Sequence, residues 1–204
     1  MQTKTYAELF ALIQALCGVV FASIETPRIK ALINRRALRA YRSSNYWTRF
    51  LKIGEERAVA SSVIPYSEGS LSSIDTFLRV YKQAPYVASS VQEYDIMVTS
   101  AGATLVCGDL NPSEAYVTYK AQLIDTYGDG SGEVSTIPAE WYQYIAHGTY
   151  ADYLRNEGQQ EKSVIADQEA EMLLQDEMIR LDENHTSGLV SGRIFTNANM
   201  QMRY

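Results

Sequence analysis

The chain is poor in the residues that most often carry chemistry. Of its 204 residues, two are histidine and two are cysteine. Cys17 and Cys107 stand apart, with no CxxC and no His/Cys spacing that could assemble a metal site or a disulfide framework. Both lie among apolar neighbours and read as small buried side chains in a reducing compartment. No apolar run reaches the roughly 18 residues that a membrane-crossing helix needs. The opening "MQTKTYAELF" lacks the charged-then-apolar layout of a signal peptide. We therefore expect a soluble protein made in the cytoplasm, with no membrane partner.

What is present favours a folded, interacting protein. Apolar residues make up 46% of the chain, enough for a real core. The length suits one substantial domain, or a domain carrying a large insertion. The net charge of −6 argues against a general nucleic-acid binder held by phosphate neutralisation. That average hides a split. Nine basic residues between Arg28 and Arg57, among them Arg35, Arg36, Arg39 and Arg42, face only Glu55 and Glu56. Eight acidic residues between Glu161 and Glu183, among them Glu169, Asp176 and Glu177, face only Lys162 and Arg180. The two stretches predict complementary surfaces, within one subunit or between neighbouring ones.

Periodicity divides the chain. "TYAELFALIQALCG" has Thr5 and Glu8 at capping-box spacing, an apolar stripe of Leu9, Leu12, Ile13 and Leu16, and Gly18 as a stop, which predicts a helix over 6–17. A second helix follows, with Thr26 as N-cap, Pro27 in its first turn, and Ile29, Leu32, Ile33, Ala37, Ala40 and Tyr41 on one face. From about 58 to 126 the period changes to two. "IDTFLRVY", "EYDIMVT", "ATLVC" and "AYVTYKA" read as short strands of an antiparallel sheet or small sandwich, with Tyr94, Ile96 and Val98 on one side of theirs. "YGDGSGE" at 127–133 reads as a flexible connection. "IPAEWYQYIAHGTYADYLRNEGQQEKS" then predicts a helical hairpin. Pro138 starts it, Glu140 complements the helix dipole, and Gly158 breaks it before an acidic helix over about 159–182.

The expected class is thus α+β: a bundle of about four helices (1–57 and 127–183), an inserted β domain (58–126), and an extended C-terminal arm (184–204). That arm, "HTSGLVSGRIFTNANMQMRY", carries too many apolar groups for a tail meant only for water. We read it as a segment that orders against something else.

The candidates for catalysis are weak. His147 lies mid-helix near Tyr144, Tyr150 and Asp152 without an indicated nucleophile, and His185 lies in the terminal arm. "GDGSG" lacks the Lys-Ser/Thr of a P-loop and the GxGxxG spacing of a dinucleotide site, and Asp125 and Asp129 do not follow the calcium-loop pattern. We expect no catalytic residue, cofactor or metal, and hence not an enzyme. The fifteen tyrosines are amphipathic groups suited to interfaces.

The order of elements, with "LINRRALRAYRSSNYW", the Ile137–Leu154 helix followed by Gly158-Gln159, and the terminal "RIFTNANMQMR", resembles the head–tail connector (adaptor) proteins of tailed bacteriophages over nearly the whole chain. The resemblance implies a ring, usually of twelve copies, beneath the portal protein in the neck of the virion. A tail or nozzle protein would dock below, and genomic DNA would pass through the channel without sequence-specific binding. It implies a portal-docking arm of Leu189, Val190, Arg193, Ile194, Phe195, Met200, Met202, Arg203 and Tyr204, with Arg35, Arg36, Arg39, Arg42, Glu169, Asp176 and Glu177 as subunit-interface candidates. The β insertion, which some adaptors lack, is expected to meet a neighbouring subunit or a tail component. Alternatives are another neck, stopper or tail-completion protein, or a small enzyme acting on nucleic acid or cell wall.

Overall fold

The computed structural model describes residues 2–201 except 70, 86, 88–90, 100–101, 108–113 and 124–125; the side chains of 91–92, 99, 114 and 182–201 also lie outside the description. In chain order the elements are β1 (Thr3–Thr5), α1 (Tyr6–Cys17), α2 (Thr26–Ser43), β2 (Leu51–Ala58), β3 (Val63–Pro65), β4 (Ile74–Tyr81), β5 (Val91–Gln92), β6 (Asp95–Thr99), β7 (Gly102–Val106), β8 (Glu114–Ala121), β9 (Thr136–Pro138), α3 (Ala139–Asn156) and α4 (Gln160–Gln201). Helices and antiparallel sheets make this an α+β chain, as expected. It divides into a helical unit, 1–44 with 125–204, and a β unit, 45–124. The first boundary falls earlier than the expected 57/58 because β2 belongs to a sheet.

In the helical unit, α1 begins and ends as its sequence dictates. The Thr5 hydroxyl accepts from the Glu8 amide at 3.2 Å, and the Glu8 carboxylate accepts from the Thr5 amide at 2.8 Å. Gly18, at φ 68°, supplies the left-handed turn that stops the helix. The start of α2 departs from expectation by one residue. Glu25 is the N-cap, its carboxylate accepting from the Ala22 amide, while Thr26 is already helical and its hydroxyl donates to the Ala22 carbonyl. The three-residue strands β1 and β9 pair antiparallel and tie the chain start to the entrance of α3. At the hairpin turn, Gly158 takes φ 78°, and the Gly158 and Gln159 amides donate to the carbonyls of Arg155 and Leu154.

Leu9, Ile13, Ile29, Ile33, Trp141, Tyr144 and Ile145 are all nearly or fully buried. Each such large side chain contributes about 1.5–3 kcal/mol relative to exposure. Small residues, Ala151 on α3 and Ala166 on α4, pack against Leu154 and let the two helices approach closely. The backbone of α4 continues as helix to Gln201, through most of the segment expected to be an extended arm. Gly188 and Gly192 each cost a helix only about 1 kcal/mol, and no proline interrupts the run.

The "YGDGSGE" stretch is braced rather than loose. Asn34 on α2 accepts from the Tyr127 amide at 2.8 Å and donates to the Tyr127 carbonyl at 3.0 Å. The Glu133 carboxylate turns back to accept from the Gly130 amide and pairs with Lys30. A Cβ on Gly128 would meet that carboxylate at 2.0 Å, so the glycine makes room for the turn.

In the β unit, a four-stranded sheet (β2-β8-β4-β5) and a three-stranded sheet (β3-β7-β6) share one core. Ile64 and Leu105 from the smaller sheet pack with Phe77, Val80, Val117 and Tyr119 from the larger, which makes a small sandwich. The register slips between Lys52 and Glu55, where Gly54 takes φ 61° and leaves no room for a Cβ beside Pro85. On β6, Ile96, Met97 and Val98 are 57%, 46% and 78% exposed, so the strand is open on both sides, while Tyr94 just before it packs against the core.

Candidate functional site

The most ordered polar arrangement in the helical unit is a charge junction where α2, α3 and α4 meet. Arg36 of α2 lies 3% exposed, and the surrounding helices dictate its path. It crosses α3 at Gly148, where a Cβ would sit 2.9 Å from its Cδ and Nε. One turn further along, Asp152 receives it. Arg36 Nε donates to Oδ2 and Nη2 to Oδ1, both at 2.9 Å, a bidentate pair between groups 116 residues apart. Asp167 of α4 approaches the same Nη2 to 2.7 Å and brings a second negative charge to it. Glu171 stands 3.7 Å from Nη1.

More exposed arginines ring this centre. Arg35 reaches Asp152 at 2.7 Å, Arg39 reaches Glu171 at 3.0 Å, and Arg155 lies 3.3 Å from Asp152 and 3.5 Å from Asp167. Burial alone would push the Asp152 carboxyl up. The Arg36 pair, and after it Arg35, more than reverses that and holds it below the ordinary aspartate range. Such a junction locks three helices in one mutual register.

Beside the junction lies the outer face of α4. Its 42 residues span about 63 Å against about 27 Å for the 18 of α3. The longer helix therefore outruns its partner. Ile165, Met172 and Ile179 recur every seven residues and are 66%, 62% and 55% exposed, with Val164 alongside. A groove of about 390 Å³ runs along this face between Arg155 and Gln175, floored by Val164 and Met172 and edged by Asp167 and Glu171. An apolar stripe at heptad spacing is the pattern of a helix that packs against another.

The interface candidates fall into separate groups. Arg36 is a correction: it is consumed inside the chain, because its burial leaves it no surface to offer. Arg35 and Arg39 are exposed but already paired within the subunit. Glu169 lies 3.5 Å from Nδ1 of His147, and Glu177 pairs with Arg180 at 2.8 Å. Arg42 and Asp176 are exposed. The arm residues Leu189, Val190, Arg193, Ile194, Phe195 and Met200 have side chains outside the described residues, as does His185, while Met202, Arg203, Tyr204 and Asp125 lie outside them altogether.

The sequence reading missed Gly148, Asp152 and Asp167 as partners of Arg36. The available signal was Gly148 followed four residues later by an aspartate on one helix face. Among the described residues no three His, Cys, Asp or Glu side chains converge as a metal site, and no helix is long and apolar enough to cross a membrane. Searched against protein-family models and curated proteins, the chain matches none.

Proposed function

We propose that the chain is a structural neck protein of a tailed bacteriophage: a head–tail adaptor that forms a ring beneath the portal, links the DNA-filled capsid to the tail and surrounds the DNA passage. The observation that carries this reading is α4. A helix that outruns its own hairpin and bears Ile165, Met172 and Ile179 on an exposed face is built to meet another chain. The charge junction supports it, because a subunit that assembles must hold its helices in a fixed register before neighbours arrive. The net charge of −6 lets DNA pass without sticking.

In this reading further copies of the chain meet along the helical unit, residues 185–204 dock on the portal protein, and a tail or nozzle protein binds below. The β unit, with its apolar strand β6 exposed, contacts a neighbouring subunit or a tail component. Deleting 185–204 tests the docking role. The truncated chain is expected to keep its fold by circular dichroism and to lose co-sedimentation with portal particles. Unimpaired attachment would end the assignment of docking to that segment.

A further inference from the structure

Besides the outer face of α4, the helical unit exposes a second patterned face, on α2. Arg28, Ala31, Arg35, Leu38, Arg39 and Arg42 are all exposed there. Arg28, Arg35 and Arg42 stand seven residues apart, and Ala31 and Leu38 follow the first two by three, which puts all five on one stripe of the helix. α2 carries no acidic residue along its length. Arg35 and Arg39 are tied to Asp152 and Glu171, but Arg28 and Arg42 have no ion-pair partner among the described residues.

The outer face of α4 follows the same plan with the opposite charge. Ile165, Met172 and Ile179 repeat every seven residues, and Glu169 and Asp176 follow the first two by four, one helical turn on. Both acids are exposed. Asp176 has no ion-pair partner among the described residues, and Glu169 has only His147, at 3.5 Å. No basic residue occurs between 163 and 179. The groove of about 390 Å³ beside Val164 and Met172 gives an incoming leucine a seat. Arg28 to Arg42 and Ile165 to Ile179 each advance fourteen residues, about 21 Å of helix, so the faces match in length and are opposite in sign. Both are exposed in the single chain, so neither covers the other there.

We infer that α2 of one copy packs along the outer face of α4 of the next. Ala31 and Leu38 meet Ile165, Met172 and Ile179, while Arg28 and Arg42 pair with Glu169 and Asp176. The inference rests on the proposal that copies meet along the helical unit, and it names the two faces that do so. The contact is head-to-tail: each copy keeps one face for a further copy, so the series closes as a ring where the rotation allows. The wrong pairings, α2 on α2 or α4 on α4, set like charges against each other and are disfavoured.

The test reverses charge in the full chain and reads assembly by sedimentation velocity, with far-UV circular dichroism to confirm the fold. Wild type should associate as its concentration rises. Arg28→Glu with Arg42→Glu makes α2 repel α4, and Glu169→Lys with Asp176→Lys makes α4 repel α2. Each pair should move association to about tenfold higher concentration or more. All four residues are exposed, so the fold should persist. Mixed in equal amounts, the two variants should recover assembly, because in alternation every contact joins two natural faces or two reversed ones. A wild type that stays monomeric, or a mixture that assembles no better than either variant alone, would overturn the inference. So would variants that associate like the wild type; duplex DNA retained by the wild type and not by the α2 variant would then mark α2 as a phosphate-binding face. Recovery in the mixture with no binding to portal protein would keep this contact and remove the adaptor reading. Portal binding by a wild type whose assembly ignores the reversals would do the opposite.

Discussion

Arg36 in the helical unit and Arg57 in the β unit are equally hidden, at 3% and 1% exposed, yet they are held in different ways. Arg36 is gripped by carboxylates from two other helices, Asp152 at 2.9 Å and Asp167 at 2.7 Å, with Asp152 itself buried. Arg57 donates to the Tyr119 hydroxyl at 2.7 Å, the Ser72 carbonyl at 2.6 Å and the Glu55 carboxylate at 2.9 Å, and its guanidinium lies 4.9 Å from the centre of the Tyr119 ring. Glu55 keeps about a quarter of its side chain in water. The helical unit has thus committed whole charges to its interior. The β unit has threaded one cation through a mostly neutral set of acceptors. A helix bundle can slide along its axes, and a buried charge junction resists that by penalising every wrong register. A sandwich already has its register fixed by backbone ladders and alternation, so its buried arginine is not needed for that purpose.

The same substitution in the two units should separate these roles. Arg36→Met leaves Asp152 buried without its bidentate partner and is expected to cost about 3–5 kcal/mol, read as a fall in the urea midpoint of the helical unit by far-UV circular dichroism. Adding Asp152→Leu to Arg36→Met should recover much of that loss, because an apolar pair replaces a broken ionic one. A double variant as unstable as the single would deny that the stranded carboxylate is the cause. Arg57→Met should cost less, about 1–3 kcal/mol, since Glu55 can turn to solvent and only neutral acceptors stay unpaired. Equal costs in the two units would erase the distinction drawn between them.

Acid should expose the smallest difference. Asp152 and Glu133 both have carboxyls held below their ordinary range in the folded chain, Asp152 by Arg36 and Arg35 against the opposing effect of burial, Glu133 by Lys30 and the Gly130 amide. The stability they confer is complete above their unfolded values and is lost as pH falls through the folded ones. Helical-unit resonances should therefore broaden or shift first on acidification below about pH 4. Arg36→Met should shrink the part of that response that belongs to Asp152.

The helix ends and strands that local chemistry defines were legible in the sequence. Thr5, Glu8 and Gly18 bound α1 as read, Gly158 turns the hairpin, and β4, β6, β7 and β8 fall on the alternating runs. What escaped depended on long-range contacts. The three residues of β1 and of β9 are too few to show a period, and they form because each finds the other across the chain. The run "LKIGEERA" hides β2 because Gly54 slips its register and much of the strand is only half-buried. Tyr94, Ile96 and Val98 alternate along their run, yet β6 sits beside β7 at the end of its sheet, and only Tyr94 of the three packs against the core. Arg36 read as one of a solvated row, because nothing local marks it apart from Arg35 and Arg39; only Gly148 and Asp152, beyond the β unit, make it a core residue. The glycines of 127–133 suggested slack, whereas they are the room that Glu133 needs to fold back on its own loop.

Electron microscopy of the full chain, alone and mixed with purified portal protein, tests most directly whether the chain is an adaptor. Rings of the protein, or density capping the portal with α4 lying between neighbouring copies, is the outcome expected. A monodisperse monomer that stays monomeric and leaves the portal bare would contradict it.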